Sequence, residues 1–151
     1  DKDRIVTGWG ASLSGIWQFA ENTSLCFQGV YGKGISNYIQ DISGTGLDLV
    51  PNATAEGKLK AFGAWGGYIG FSHNWSKVLT SNIMYSYARV LDRYGMPTTS
   101  YKYAQYAAAN LFWDFSEYGS CAIEYVFGRR NDFNKDYGNA SRINTMIQYR
   151  F

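Results

Sequence analysis

Residues able to do covalent chemistry are few in this 151-residue chain. His73 is the sole histidine, and Cys26 and Cys121 are the two cysteines. An activated nucleophile needs a base beside it and a third group to orient that base, and no such set stands out. One His and two separated Cys do not furnish an ordinary zinc site. No Gly-rich stretch has phosphate-loop spacing, and the Asp/Gly-rich loops lack EF-hand order. The sequence is therefore read as non-enzymatic, with no cofactor and no metal. Fixed charge is the chemistry that remains. Lys58, Lys60, Lys102, Arg142 and Arg150, with Asp114 and Glu124, share the polar phase of alternating runs. Five cations against two anions leave that phase at +3. Were it to face a narrow water-filled space, it would favour anions. Arg129 and Arg130 fall in a charged stretch, 129–140, read as a loop at the outer mouth of such a space.

The elements holding these residues have a period of two. Trp9, Ala11, Leu13, Gly15, Trp17 and Phe19 oppose Gly8, Gly10, Ser12, Ser14, Ile16 and Gln18. Six further runs follow, near 24–31, 58–72, 79–88, 102–115, 122–127 and 142–151. Leu25, Phe27 and Tyr31, then Trp65, Ile69 and Phe71, hold the apolar phase of the second and third. The fifth is the least regular, because Gln105 and Tyr106 each sit on the wrong side. The last is the cleanest, with Ile143, Thr145, Ile147, Tyr149 and Phe151 on one phase. Cys26 and Cys121 take opposite phases, which predicts free thiols. Connections alternate short and long: Glu21–Ser24, a polar loop over 40–57, Asn74–Lys77, a loop over 92–100, Ser116–Gly119, and 129–140.

Composition narrows the class. Aromatics make up 18% of the chain, with 13 Tyr, 9 Phe and 5 Trp, while charged residues are only 17%. So many rings exclude disorder. No charge-free run exceeds sixteen residues, and the apolar-looking one from Ile5 to Ala20 is studded with Gly and Ser, short of the ~20 a spanning helix needs. A net charge of +2 without any Lys/Arg run excludes a nucleic-acid stripe. Strands of ten residues or more suit a tilted membrane span of about 9–11 residues, and exceed the five or six common in soluble sheets.

The decisive question is which phase meets water. In a soluble barrel the polar phase should be dense in Lys, Glu and Asp. Here it is mostly Gly, Ser, Ala, Asn and Gln, and charge gathers in loops and strand ends. Trp9, Trp17, Phe19, Trp113, Phe115, Tyr149 and Phe151 stand near the ends of their runs, as in the aromatic girdles of lipid-facing strands. His73, on the same phase, suits a girdle or turn position. The sequence thus predicts an all-β, antiparallel transmembrane β-barrel, with residues 1–151 forming its carboxy-terminal portion. Phe151, with Tyr149, Ile147, Thr145 and Ile143 at every second position before it, fits the terminal pattern of outer-membrane barrels. Seven strands is an odd number where single-chain bacterial barrels have even ones, so the remainder of the same barrel must lie elsewhere. Small outward residues (Ala11, Gly15, Ala61, Gly63, Gly67) would permit close packing between subunits. Four Asn-x-Ser/Thr sequons (Asn22, Asn52, Asn74, Asn139) read as accidents of turn composition.

Several stretches resemble a known family. They are Gly67–Trp75 (GYIGFSHNW), Ser81–Tyr87 (SNIMYSY), Tyr101–Trp113 (YKYAQYAAANLFW), Glu124–Arg130 (EYVFGRR) and Arg142-Ile143-Asn144. Over roughly residues 58–151 the chain is similar to the DcaP-like porins, trimeric outer-membrane channels of Gram-negative bacteria. The resemblance implies a sixteen-stranded barrel, a homotrimer, and passage of small hydrophilic solutes, often organic anions. Membrane lipid and lipopolysaccharide would be its surroundings. Two rival readings are a soluble lipocalin-like ligand-binding barrel and a structural outer-membrane barrel without a channel.

Overall fold

Alternating apolar and small polar residues can satisfy backbone hydrogen bonds only in a ladder with two unlike faces. The computed structural model describes residues 5–51 and 59–151 and has this form. In chain order the strands are β1 (Trp9–Ala20), β2 (Thr23–Lys33), β3 (Leu49–Pro51), β4 (Leu59–Ala61), β5 (Gly63–Asn74), β6 (Leu79–Val90), β7 (Tyr101–Asp114), β8 (Gly119–Asp132) and β9 (Tyr137–Tyr149). Seven of them, in the order β1-β2-β5-β6-β7-β8-β9, make one antiparallel sheet of nearest sequential neighbours. β3 and β4 pair separately. Two single 3-10 turns, Ser36–Tyr38 and Gln40–Ile42, complete the structure.

The register keeps the two phases apart across all seven strands. One rung reads Trp17, Leu25, Phe71, Ile83, Ala109, Tyr125, Ile143, with every member on the apolar face. Gln105 and Tyr106 obey the same phase, facing Arg129 and Gly128 respectively. Gly32 is required where β1 crosses closest, since a Cβ there would lie 2.1 Å from the Trp9 carbonyl oxygen.

Three sequence-based expectations need correction. The stretch 129–140 is not a loop. β8 continues to Asp132 and β9 begins at Tyr137, so Arg129 pairs with Asn139 and Arg130 with Gly138. Only residues 133–136 turn, with Lys135 in the left-handed region at φ 76°. Polar side chains on both faces disguised this hairpin. The third run also does not enter the main sheet at its first described residue, Leu59. Leu59–Ala61 leaves to pair with Leu49–Pro51, Phe62 interrupts, and the sheet resumes at Gly63. Finally, the segment 34–51 after β2 is not a plain polar loop. It carries much of the buried apolar core.

That core lies on the polar side of the sheet. Ile35, Ile39, Ile42 and Leu47 pack with Phe62 against Ala64, Ala88, Val90 and Tyr101. These wall residues are on the phase opposite to the rings. The ring-bearing side has no cover: Trp17 is 65% exposed, Ile83 60% and Ile147 84%, whereas Ile42 is fully buried.

Candidate functional site

The polar face begins from one continuous rung: Gln18, Ser24, Ser72, Asn82, Asn110, Glu124, Asn144. Every member is hydrophilic, and four are linked by side-chain hydrogen bonds. Asn82 Nδ2 donates to Asn110 Oδ1 (2.7 Å), Asn110 Nδ2 to Glu124 Oε2 (3.5 Å), and Asn144 Nδ2 to Glu124 Oε1 (2.8 Å). Both carboxylate oxygens of Glu124 are thus held flat along the wall. Hydrogen bonds to a charged acceptor contribute about 1.5–3 kcal/mol. Glu124→Ala is expected to lower barrel stability by about 1–2 kcal/mol, and Glu124→Gln by clearly less, in denaturant titrations of the intact barrel.

The other wall charges do not form a single ring. Arg142 stands one rung toward the long connections, opposite Val126, and is exposed. Asp114 and Arg150 meet at the opposite rim, in a shallow cleft of about 370 Å³ with Lys77 and Glu117. Lys102 occupies a β-bulge between Tyr101 and Tyr103, its Nζ 6.0 Å above the Phe133 ring. Lys60 lies in β4, outside the main sheet, with Nζ 3.8 Å above the Tyr94 ring. Lys58 lies outside the described residues. Arg129 and Arg130 part company: Arg130 faces the polar side and bonds Asp132 at 2.9 Å, while Arg129 turns to the ring-bearing side with Asn139 and Gln105. The adjacent pair is therefore not one cationic mouth.

The segment over 34–51 is what sequence reasoning missed. Gly34, at φ 68°, reverses the chain at the end of β2, and its N–H donates to the Phe62 carbonyl at 2.8 Å. The Phe62 N–H donates to the Asp48 carbonyl (3.1 Å), and the Ser36 N–H to Asp48 Oδ1 (2.7 Å). Tyr101 anchors the wall beneath by donating to the Ala88 carbonyl (3.0 Å). In the neighbouring loop Tyr94 donates to Asp92 (2.7 Å), and that carboxylate holds the phenol above its ordinary pKa. The spacing of Ile35, Ile39 and Ile42, at intervals of four and three, was the available signal for an inward-folded turn.

Because this segment lies on the polar side, it narrows whatever space that side encloses. Asp41 projects at its centre between two clefts. One, about 520 Å³, is walled by Tyr38, Gln28, Tyr68, Ser86 and Tyr106. The other, about 740 Å³, has Thr45, Ser100, Tyr106 and Arg130 in its lining.

The opposite face sorts its rings into two bands. Trp17, Phe19, Phe71, His73, Trp75, Trp113 and Phe115 form neighbouring contacts toward the short turns, with Tyr118 and Tyr149 6.4 Å apart at the same end. His73 is bound into this band, with Nδ1 2.8 Å from Thr23 Oγ1. Trp9 and Tyr31, and the stack Trp65–Tyr87–Tyr103, form the other. Tyr103 and Trp113 are ten residues apart in β7. At about 3.3 Å per residue and a tilt near 40°, they span ~25 Å of height, the thickness of an outer-membrane apolar band. Of the small outward residues, Ala11, Gly15, Gly63 and Gly67 keep the outward phase, Gly63 packed against Leu91, whereas Ala61 is buried in β4. Cys26 and Cys121 are on opposite faces and free.

No family model matches the chain, and no curated protein matches it. Among solved structures, the crystal structure of the outer membrane channel DcaP of Acinetobacter baumannii superposes with a TM-score of 0.77 at 19% identity. The match covers 95% of this chain and 41% of that one, so the chain spans less than half the channel's length. The fold of this chain is thus that of a portion of an outer-membrane channel barrel.

Proposed function

We propose that the chain is part of an outer-membrane porin of a Gram-negative bacterium, passing small hydrophilic solutes, anions above all, by diffusion without a chemical step. One observation carries this reading. A bare apolar face with two ring bands lies back to back with a polar face onto which a chain segment folds. Lipid suits the first face and water the second. A lipocalin-like module would need Trp17, Trp65, Trp113 and Tyr149 inside, yet all four are outward and exposed. In the porin, the remainder of the same barrel pairs with β1 and β9, three copies associate, and lipopolysaccharide surrounds them.

Anion preference is supported by Arg142, exposed at mid-wall, and by the engagement of Glu124 with two amides. Arg130 adds little, being paired with Asp132. In planar bilayers under a salt gradient, the intact channel is expected to give a reversal potential of anion sign, and Arg142→Glu to move it toward the cation side. Cation preference in the unmodified channel would refute the selectivity. Absence of conductance would favour the structural barrel.

A further inference from the structure

We propose that Lys33, Arg89 and Arg129 form a lipid site on the outward face, binding the phosphates of the acylated disaccharide that anchors lipopolysaccharide. The inference rests on that face meeting lipid, not on conduction. Among the described strand residues, the outward phase of the seven-stranded sheet carries no Asp or Glu. It carries three side chains with a permanent positive charge. They occupy the three successive rungs nearest the long connections: Trp9–Lys33–Gly63, then Tyr31–Trp65–Arg89–Tyr103, then Gly67–Tyr87–Gln105–Arg129. The rungs below have none. Such a one-ended, one-signed distribution on an apolar surface matches an interface with anionic headgroups.

Neither arginine is paired with a carboxylate among the described residues. Among the described residues, the one ion pair within 4.0 Å is Arg130–Asp132, on the other face. Arg129 Nε donates to Asn131 Oδ1 (3.0 Å), and its guanidinium lies 4.3 Å from the Tyr137 ring centre. These contacts fix the group and leave its terminal nitrogens for an acceptor. Arg89 Nε is buried without a hydrogen-bond partner, beside Trp65 and Tyr103 in the register. The two arginines belong to strands separated only by β7, roughly 10 Å apart across the ladder. Long side chains can converge on one phosphate over that distance, and bidentate guanidinium contacts suit phosphate oxygens.

The surface beside the arginines, on β2 and β5 beneath Lys33, provides for the rest of such a lipid. Gly29 and Gly67 face each other in the register and open a depression of about 800 Å³, walled by Leu13, Tyr31, Trp65, Ile69 and Tyr87. A Cβ on Gly29 would meet nothing within 4 Å. Headgroup at the arginines and acyl chain in this groove is a continuous path across one face, from β8 to β2.

The test uses the full-length protein in mild detergent, titrated with the bis-phosphorylated acyl disaccharide and followed by native mass spectrometry. R89Q/R129Q should weaken binding roughly tenfold or more, and K33Q by less. R89K/R129K, which keeps the charge, should retain most of it and controls for folding. The dephosphorylated disaccharide should bind the unmodified protein poorly. Equal binding by R89Q/R129Q, or equal binding of the dephosphorylated lipid, would overturn the site. Displacement of the lipid by an equal concentration of inorganic phosphate would overturn the assignment to a lipid. Conductance of R89Q/R129Q should equal that of the unmodified channel, so failure here is distinct from failure of the porin reading.

Discussion

Ile83→Lys is expected to destabilise the intact barrel by about 2–4 kcal/mol, the cost of a basic side chain on the lipid face at mid-span. Ile83 lies on the rung with Phe71 and Ala109, between the two ring bands, and is 60% exposed. A soluble protein would accept Lys at so open a position within about 0.5 kcal/mol. Hydrocarbon would not, because the ammonium must be dehydrated or must drag water into the membrane. Ser86→Lys supplies the control: it stands on the same strand but on the polar phase, opposite Tyr68 and Tyr106. Its effect should stay below about 1 kcal/mol. Urea unfolding of the barrel in phospholipid vesicles, followed by tryptophan fluorescence, measures both. Equal effects at 83 and 86 would reverse the assignment of faces.

Ile42→Asp is expected to detach the inward segment from the wall and raise the conductance of the intact channel. Ile42 is fully buried among Phe62, Val90 and Tyr101, on the side that faces the proposed lumen. Deleting such a side chain costs roughly 2–5 kcal/mol, and a carboxylate left without a partner costs more. The segment is otherwise held by the buried Ile35, Ile39 and Leu47 and by the Gly34–Phe62, Phe62–Asp48 and Ser36–Asp48 hydrogen bonds, none of which belongs to the seven-stranded ladder. The penalty therefore falls on local opening rather than on the strand ladder. Single-channel recording and protease sensitivity within residues 36–48 report the two consequences. Unchanged conductance with a freshly cleavable segment would mean that the segment does not narrow the passage. Ile42→Ala should give a smaller change in the same direction.

The two faces were legible in the sequence because a one-residue slip would exchange them, and the strands holding Trp17, Trp113 and Ile147 admit no such slip. Even Gln105 and Tyr106, which broke the pattern locally, follow the phase dictated by their neighbours. The extent of β8 and β9 was not legible. Above the apolar band both phases are polar, so Arg129, Asn131, Tyr137 and Asn139 carry no contrast that marks a strand. The inward segment was hidden for a different reason. Ile35, Ile39, Ile42 and Leu47 are scattered among Gly, Ser, Asp and Thr, and their common partner Phe62 is distant in sequence. The candidate wall residues were found by phase alone. Phase says which side a residue is on, but not how high. For that reason Glu124, Arg150 and Lys102 lie at three different heights rather than in one constriction.

The sheet order has a consequence for whatever completes the structure. Counting along the sheet, β1 and β9 are its first and seventh members, so they run the same way. Their free flanks cannot zip together without a parallel seam foreign to the rest of the ladder. A closed wall of uniformly alternating direction therefore demands an odd number of added strands, entering and leaving against the grain of both borders. Nine would give the sixteen of the resemblance.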